Sequence, residues 1–136
     1  ILMDKQHYYI KWAAALAAIA VCFGALGAHT LEKILSVKSL ASWETAVRYQ
    51  LFHAVVILII ALNDRLISEK SAHRILNLFI IGVLFFSGSI YLLSTQSISG
   101  LRVPLLGPIT PIGGLLMIAG WIMLFLQSVK SKKQLK

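Results

Sequence analysis

The stretch WAAALAAIAVCFGALGAHTL, residues 12–31, decides the fold, because it holds 20 consecutive residues without a charged side chain. About 20 helical residues cross the roughly 30 Å of hydrocarbon in a bilayer, and a charge within that layer is costly. Two further uncharged stretches, residues 75–101 and 103–129, hold 27 residues each. These three stretches therefore predict three membrane-spanning helices.

A fourth uncharged stretch, residues 49–63, is only 15 residues long. It reaches across the bilayer if its helix begins earlier, near Ser42, with charged side chains extending to the headgroups. We therefore predict an all-α fold, an integral membrane four-helix bundle that forms one domain over residues 1–136. The predicted helices cover about 8–29, 42–65, 73–96 and 110–129, and a basic tail follows at 130–136.

The composition excludes a water-soluble protein and argues against a nucleic-acid partner. Hydrophobic residues make up 58% of the chain and charged residues only 13%, which is too few to cover a soluble surface. The formal charge of +8 suggests nucleic acid at first. However, the thirteen Lys and Arg residues lie between or beyond the apolar stretches rather than on one face, so we expect the lipid bilayer as the partner and no nucleic acid.

The distribution of basic residues predicts the orientation in the membrane. Nine Lys and Arg residues fall on the side of the two termini and the 63–74 loop, and four fall on the other side. Because basic loops stay in the cytoplasm, both termini are predicted to be cytoplasmic. The predicted location is the cell inner (plasma) membrane as a multi-pass protein, or the mitochondrial inner membrane if the source is eukaryotic.

Small residues predict where helices approach each other closely. The first helix carries a stripe of small residues four apart, and the other candidates lie on the third and fourth helices. Gly107 and Pro108 predict a turn, after which Thr110 is expected to cap the fourth helix and Pro111 to be its first helical residue. The packing candidates are Ala20, Gly24, Ala28, Gly88, Gly113 and Gly114.

Polar residues are predicted to gather at one depth, in the outer leaflet. Tyr49 and His53 are four residues apart and share a helix face, as do Ser87 and Tyr91. Such groups inside a membrane usually face other helices, so they predict either an interhelical hydrogen-bond network or a ligand pocket. The candidate cluster comprises His29, Tyr49, Gln50, His53, Ser87, Ser89, Tyr91 and Thr110.

Four segments resemble one known family. GALGAHTL (24–31), WETAVRYQLFHA (43–54), FSGSIYLL (86–93) and GPITPIGGLLMIAGW (107–121) are similar to the signature segments of the YgdD/YwdK-type small membrane proteins. That family is classed as a domain of unknown function and is similar to transmembrane protein 256 of animal mitochondria. The resemblance implies a four-helix integral membrane protein and supplies no reaction or catalytic residues.

For function, the sequence favours a non-enzymatic scaffold or accessory subunit. Its expected ligand is a lipid or a quinone-like molecule, and its expected partner is a larger membrane complex or another copy of itself. No catalytic residue, metal or cofactor is assigned.

Two alternatives stay open. One is an oligomeric pore or small-solute transporter, although ion-coupled transport usually places a carboxylate within the membrane, and all five acidic residues lie in predicted loops or at the membrane interfaces. The other is an intramembrane enzyme or a haem or metal protein that uses His29 and His53. An enzyme would need Ser87 or Ser89 beside one of these histidines, and a zinc site would need further ligands.

Overall fold

A computed structural model describes residues 2–63 and 67–134, with side chains for residues 5–63 and 67–130. Four of its helices are long and apolar enough to cross a membrane, which confirms the predicted all-α, four-helix fold. The long helices are α1 (Leu2–His29), α2 (Val37–Leu62), α3 (Glu69–Ser94) and α5 (Leu106–Gln134). A 3-10 turn (Leu31–Lys33) follows α1, and the one-turn helix α4 (Gln96–Ser99) precedes α5.

Each long helix begins four to six residues before the predicted start at residue 8, 42, 73 or 110. An uncharged stretch marks the hydrocarbon part of a helix, whereas the helix itself continues among headgroups, where charges are tolerated. Serine caps fix two of the earlier starts: the Ser39 N–H donates to Ser36 Oγ at 3.2 Å, and the Ser71 N–H donates to Ser68 Oγ at 3.4 Å. The predicted end of the second helix, residue 65, lies outside the described residues, as do the side chains of 131–136.

The start of α5 differs from the prediction in kind as well as in position. The helix begins at Leu106, so Thr110 lies inside it and does not cap it. The Thr110 hydroxyl instead donates to the Leu106 carbonyl at 3.2 Å. Pro111 is the sixth helical residue rather than the first, and the only backbone donor lost is the one that would reach the Gly107 carbonyl.

The four long helices pack in sequence order, each antiparallel to the next: α1 on α2, α2 on α3, and α3 on α5. Hydrogen bonds fix the register of α1 on α2, where Gln6 reaches Ala61 near one end and Trp43 reaches Phe23 near the other. Consequently α2 and α3 are central, and α1 and α5 flank them. Because the four long helices alternate in direction, the first residues of α1 and the last residues of α5 lie at the same end of the bundle.

The largest core cluster joins α2 and α3 to α1 and α5 in one half of the bundle. Ile57, Ile75, Phe79 and Val83 are at most 1% exposed and lie at its centre. The same half receives Met117 from α5. This part of the interior is apolar, and polar groups lie toward both ends of it.

The contact between α3 and α5 is a close approach of two backbones. A Cβ on Gly113 would lie 2.7 Å from the Gly82 carbonyl oxygen and also overlap the backbone of Phe86. A Cβ on Gly82 would lie 2.7 Å from the Met117 side chain, and one on Gly120 equally close to the Phe79 ring. Glycine is therefore required at this crossing because any side chain would separate the helices.

Of the other packing candidates, some contact a neighbouring helix and some do not. Ala20 is fully buried, and Gly24 is partly buried, with ordinary contact to Val47. Ala28 is exposed, which contradicts the predicted stripe, because the neighbouring residue Gly27, and not Ala28, faces α2 at this end of α1. Nothing lies within 4 Å of a Cβ on Gly88, so the prediction that Gly88 lies in a close helix contact was wrong. Gly114 meets only the edge of a phenylalanine ring, at 3.8 Å.

Candidate functional site

Gln50 is the centre of the polar side chains that the structure brings together. Its side chain is 4% exposed and connects three helices. Its amide nitrogen donates to the Leu16 carbonyl of α1 at 2.8 Å, and its amide oxygen accepts the Tyr91 hydroxyl of α3 at 2.8 Å. Because a polar group without a partner inside a membrane is costly, these bonds fix how α1, α2 and α3 face each other.

Two more bonds extend this network toward the 3-10 turn. The Ser87 hydroxyl of α3 donates to the Ala46 carbonyl of α2 at 2.8 Å. The Trp43 indole N–H donates to the Phe23 carbonyl of α1 at 2.8 Å. We call Trp43, Gln50, Ser87 and Tyr91 the central network. Each member is less than 10% exposed and is hydrogen-bonded to another helix, so the polar groups of the network are satisfied within the bundle.

Aromatic rings pack around the central network. Phe23 lies 4.8 Å from Tyr91 and 5.2 Å from Trp43, measured between ring centroids, and the Trp43 and Tyr91 rings are 4.6 Å apart. Gly27 faces the Trp43 ring, which lies 3.0 Å from where a Cβ would be. The space that the sequence left open for a ligand is thus occupied here by aromatic side chains.

His53 faces the interior and is 4% exposed. Its Nε2 accepts the Trp121 indole N–H of α5 at 3.2 Å, and its Nδ1 lies 2.8 Å from the Tyr49 carbonyl. An indole can only donate, so Nε2 carries no hydrogen and Nδ1 donates to the carbonyl. Both ring nitrogens are therefore engaged in a neutral imidazole, and neither is free to ligate a metal.

His29 does not join His53. Since Gln50 lies opposite Leu16, His29 is 13 residues farther along α1, about 20 Å at 1.5 Å per residue. His53 lies one turn from Gln50 in the opposite direction, and His29 itself is exposed. The expected common depth of these polar groups was wrong, and so was a two-histidine haem or metal site. Among the described residues no three His, Cys, Asp or Glu side chains come together.

Of the remaining candidates, Ser89 and Thr110 pair with each other, whereas the Tyr49 ring stacks on His53 with the ring centroids 6.1 Å apart. Ser89 Oγ lies 2.6 Å from Thr110 Oγ1, which joins α3 to α5. Tyr49 is 43% exposed, and its ring packs on Phe86 at the surface of the bundle. Because the Ser87 and Ser89 hydroxyls are each bonded to other groups, neither is held by a histidine base as nucleophilic catalysis requires.

A second polar cluster at the opposite end was not predicted as a site. The Tyr9 hydroxyl of α1 is hydrogen-bonded to His73 Nδ1 of α3 and lies 3.3 Å from the Asn77 amide oxygen. Lys5 and Glu69 form an ion pair at 3.1 Å beside it, next to a small cavity of about 150 Å³. His73 and Asn77 share a helix face at a spacing of four, a sequence signal that could have identified this cluster.

These features define the class: a polytopic membrane protein whose four helices are joined by buried polar side chains and glycine contacts. Residues 23–114 match the family described as "Protein of unknown function (DUF423)", and the chain belongs to that family. This confirms the resemblance that the signature segments indicated. No solved structure matches the chain.

Several bacterial relatives are named UPF0382 membrane proteins. One from Staphylococcus haemolyticus is 43% identical over 90% of this chain and 95% of its own length. YwdK of Bacillus subtilis is 40% identical over 90% and 96%, and one from Haemophilus influenzae is 38% identical over 93% and 98%. The chain is therefore similar to membrane proteins over nearly their whole length.

Proposed function

We propose that this protein is a non-enzymatic structural subunit, a compact four-helix unit that supports a larger membrane complex. The observation that carries the proposal is that the polar groups of the central network are hydrogen-bonded to other helices of the bundle. The Gln50 amide forms hydrogen bonds to both neighbouring helices: its nitrogen donates to α1, and its oxygen accepts from Tyr91 of α3. Groups that are committed to holding helices together are not available to bind a substrate, and they make the unit rigid.

The flanking helices offer the surface for a partner. In the described residues α5 packs along α3, and its other faces carry exposed apolar side chains such as Leu115, Ile122 and Phe125. α1 likewise exposes Ile19 and Val21. Lipid chains cover such faces by default, and an apolar helix of another membrane protein, or of a second copy, fits them equally well.

Site-specific photocrosslinking in living cells tests this role. A benzophenone amino acid at Leu115 or Ile122 of α5 is expected to give discrete protein adducts, identified by mass spectrometry. The same probe at Val55, an exposed position on the central helix α2, is the matched control and should give fewer protein adducts. If α5 and control positions give only lipid adducts, the subunit proposal is wrong.

The proposed location is the inner (plasma) membrane, with both termini in the cytoplasm. In a Cys22→Ala background, cysteines at Ser131 and Lys38 should respond oppositely to an impermeant thiol reagent added from outside. Labelling of Lys38→Cys with protection of Ser131→Cys is expected, because nine of thirteen basic residues lie on the side of the termini. The reverse pattern contradicts the orientation.

A further inference from the structure

An open cleft lies at the end of the bundle where α2 begins and α3 ends, which we call the Arg102 end. The cleft has two neighbouring lobes of about 490 and 460 Å³, in the range of small-ligand pockets. Both lobes are lined by Ser39, Leu93 and Ser94. Arg102 borders one lobe, and Lys38 borders the other.

Ser94 is the unusual member of this lining. It is 5% exposed, and its hydroxyl has no hydrogen-bond partner. Over residues 5–63 and 67–130, every other buried side-chain nitrogen or oxygen has one. A buried hydroxyl without a partner in an otherwise satisfied structure calls for an explanation, and a ligand that binds at the cleft and accepts from this hydroxyl would supply one.

The charges of the cleft favour an anion. Among the described residues that line its lobes, Lys38 and Arg102 are basic and none is acidic. Neither basic side chain forms an ion pair within the described part of the chain. The first turn of α2 also faces this end, and its free N–H groups add positive potential.

The position of the cleft relative to the membrane indicates which anion it binds. Ser94 is the last residue of the α3 span, and Lys38 is the second of the α2 span, so the cleft lies at the level of the lipid headgroups. Leu93 and Ile90 line it with apolar side chains. We propose that the cleft binds the phosphate group of a phospholipid, with Arg102 and Lys38 neutralising its charge and Ser94 donating its hydroxyl hydrogen. This site does not depend on the proposed partner contacts of α1 and α5.

Native mass spectrometry of the full chain in detergent tests the site. The probes are phosphatidylglycerol, diacylglycerol with the same acyl chains, and inorganic phosphate. We expect retention of phosphatidylglycerol and little retention of diacylglycerol. Arg102→Gln should weaken phosphatidylglycerol binding about tenfold, as expected for the loss of one charged hydrogen-bonding group. Arg48→Gln is the matched control, because Arg48 is exposed on α2 and does not line the cleft.

Ser94→Ala separates binding from packing. If the hydroxyl serves the ligand, this variant loses phosphatidylglycerol severalfold, while its melting temperature without lipid does not fall. Equal retention of diacylglycerol, or equal binding by the Arg102→Gln and Arg48→Gln variants, overturns the proposal. Stabilisation by inorganic phosphate without retention of phosphatidylglycerol shows that a soluble phosphate compound is the source and that the lipid assignment is wrong.

Discussion

The contact between α2 and its two neighbours differs from the contact between α3 and α5 in the groups that meet. On the α2 side, Gln50 and Trp43 donate to carbonyls of α1, and Ser87 of α3 donates to a carbonyl of α2. On the α5 side, Gly82 and Gly113 bring two backbones together with little space for a side chain. The contacts of α2 depend on the direction of hydrogen bonds, whereas the contact of α5 with α3 depends on the short distance between the two backbones.

The difference matters because lipid offers no hydrophobic drive for helices to associate. A hydrogen bond between membrane helices stabilises by only about 0.6 kcal/mol on average, partly because a freed polar group finds another partner. When two backbones are already in contact, an added side chain cannot be accommodated in this way, and the helices must move apart. We therefore expect the α3–α5 crossing to be the more sensitive of the two to a single substitution.

The largest effect is expected for Gly113→Ala. The added Cβ would lie 2.7 Å from the Gly82 carbonyl oxygen, so the two backbones must separate. We expect a loss of roughly 3 kcal/mol, at the upper end for overpacking of a tight interior. Unfolding in mixed micelles, followed by circular dichroism, measures it.

Gly88→Ala is the control for that substitution, because nothing lies within 4 Å of its added Cβ. It should leave the free energy of unfolding nearly unchanged. If the two glycine variants lose similar stability, backbone proximity does not set the strength of the α3–α5 contact.

A smaller effect is expected for Gln50→Leu. This change removes the amide that accepts from the Tyr91 hydroxyl and donates to the Leu16 carbonyl, and it should cost about 1–2 kcal/mol. Tyr91→Phe removes one of the same bonds, so the double variant should lose less than the sum of the single losses. Strict additivity would show that Gln50 and Tyr91 do not act as one network.

Much of the fold was predictable because the cost of charge in hydrocarbon marks each span. The uncharged stretches located four helices, and Gln50 was a candidate because an amide within an apolar stretch needs a partner. The helix starts were set too late, since Ser36 and Ser68 cap helices outside the hydrocarbon.

The site was less predictable because it depends on register. The position of a residue within its own span does not reveal which residue lies opposite, and the pairing of Gln50 with Leu16 separates His29 from His53. Trp43 and Trp121 were not candidates, since an indole resembles an apolar residue in a sequence although its N–H needs an acceptor. Both donate to partners on other helices.

The smallest effect is expected for Trp121→Phe, which tests the one described side-chain hydrogen bond between α2 and α5. Phenylalanine keeps an aromatic ring at the position beside Phe79 and removes the N–H that His53 Nε2 accepts. A loss of about 0.6 kcal/mol is expected, the average for a bond of this kind. Trp12→Phe is the control, because the Trp12 N–H donates to no residue in the described part of the chain.

The tautomer of His53 gives this last prediction a second readout. In the unmodified protein, ¹⁵N NMR should show hydrogen on Nδ1 and none on Nε2, because the indole occupies Nε2 as a donor. In Trp121→Phe the hydrogen should stay on Nδ1, which still donates to the Tyr49 carbonyl, whereas the Nε2 resonance should shift because Nε2 no longer accepts the indole N–H. Hydrogen on Nε2 of the unmodified protein would show that α5 is not bonded to α2. In that case glycine packing against α3 would be the main attachment of α5.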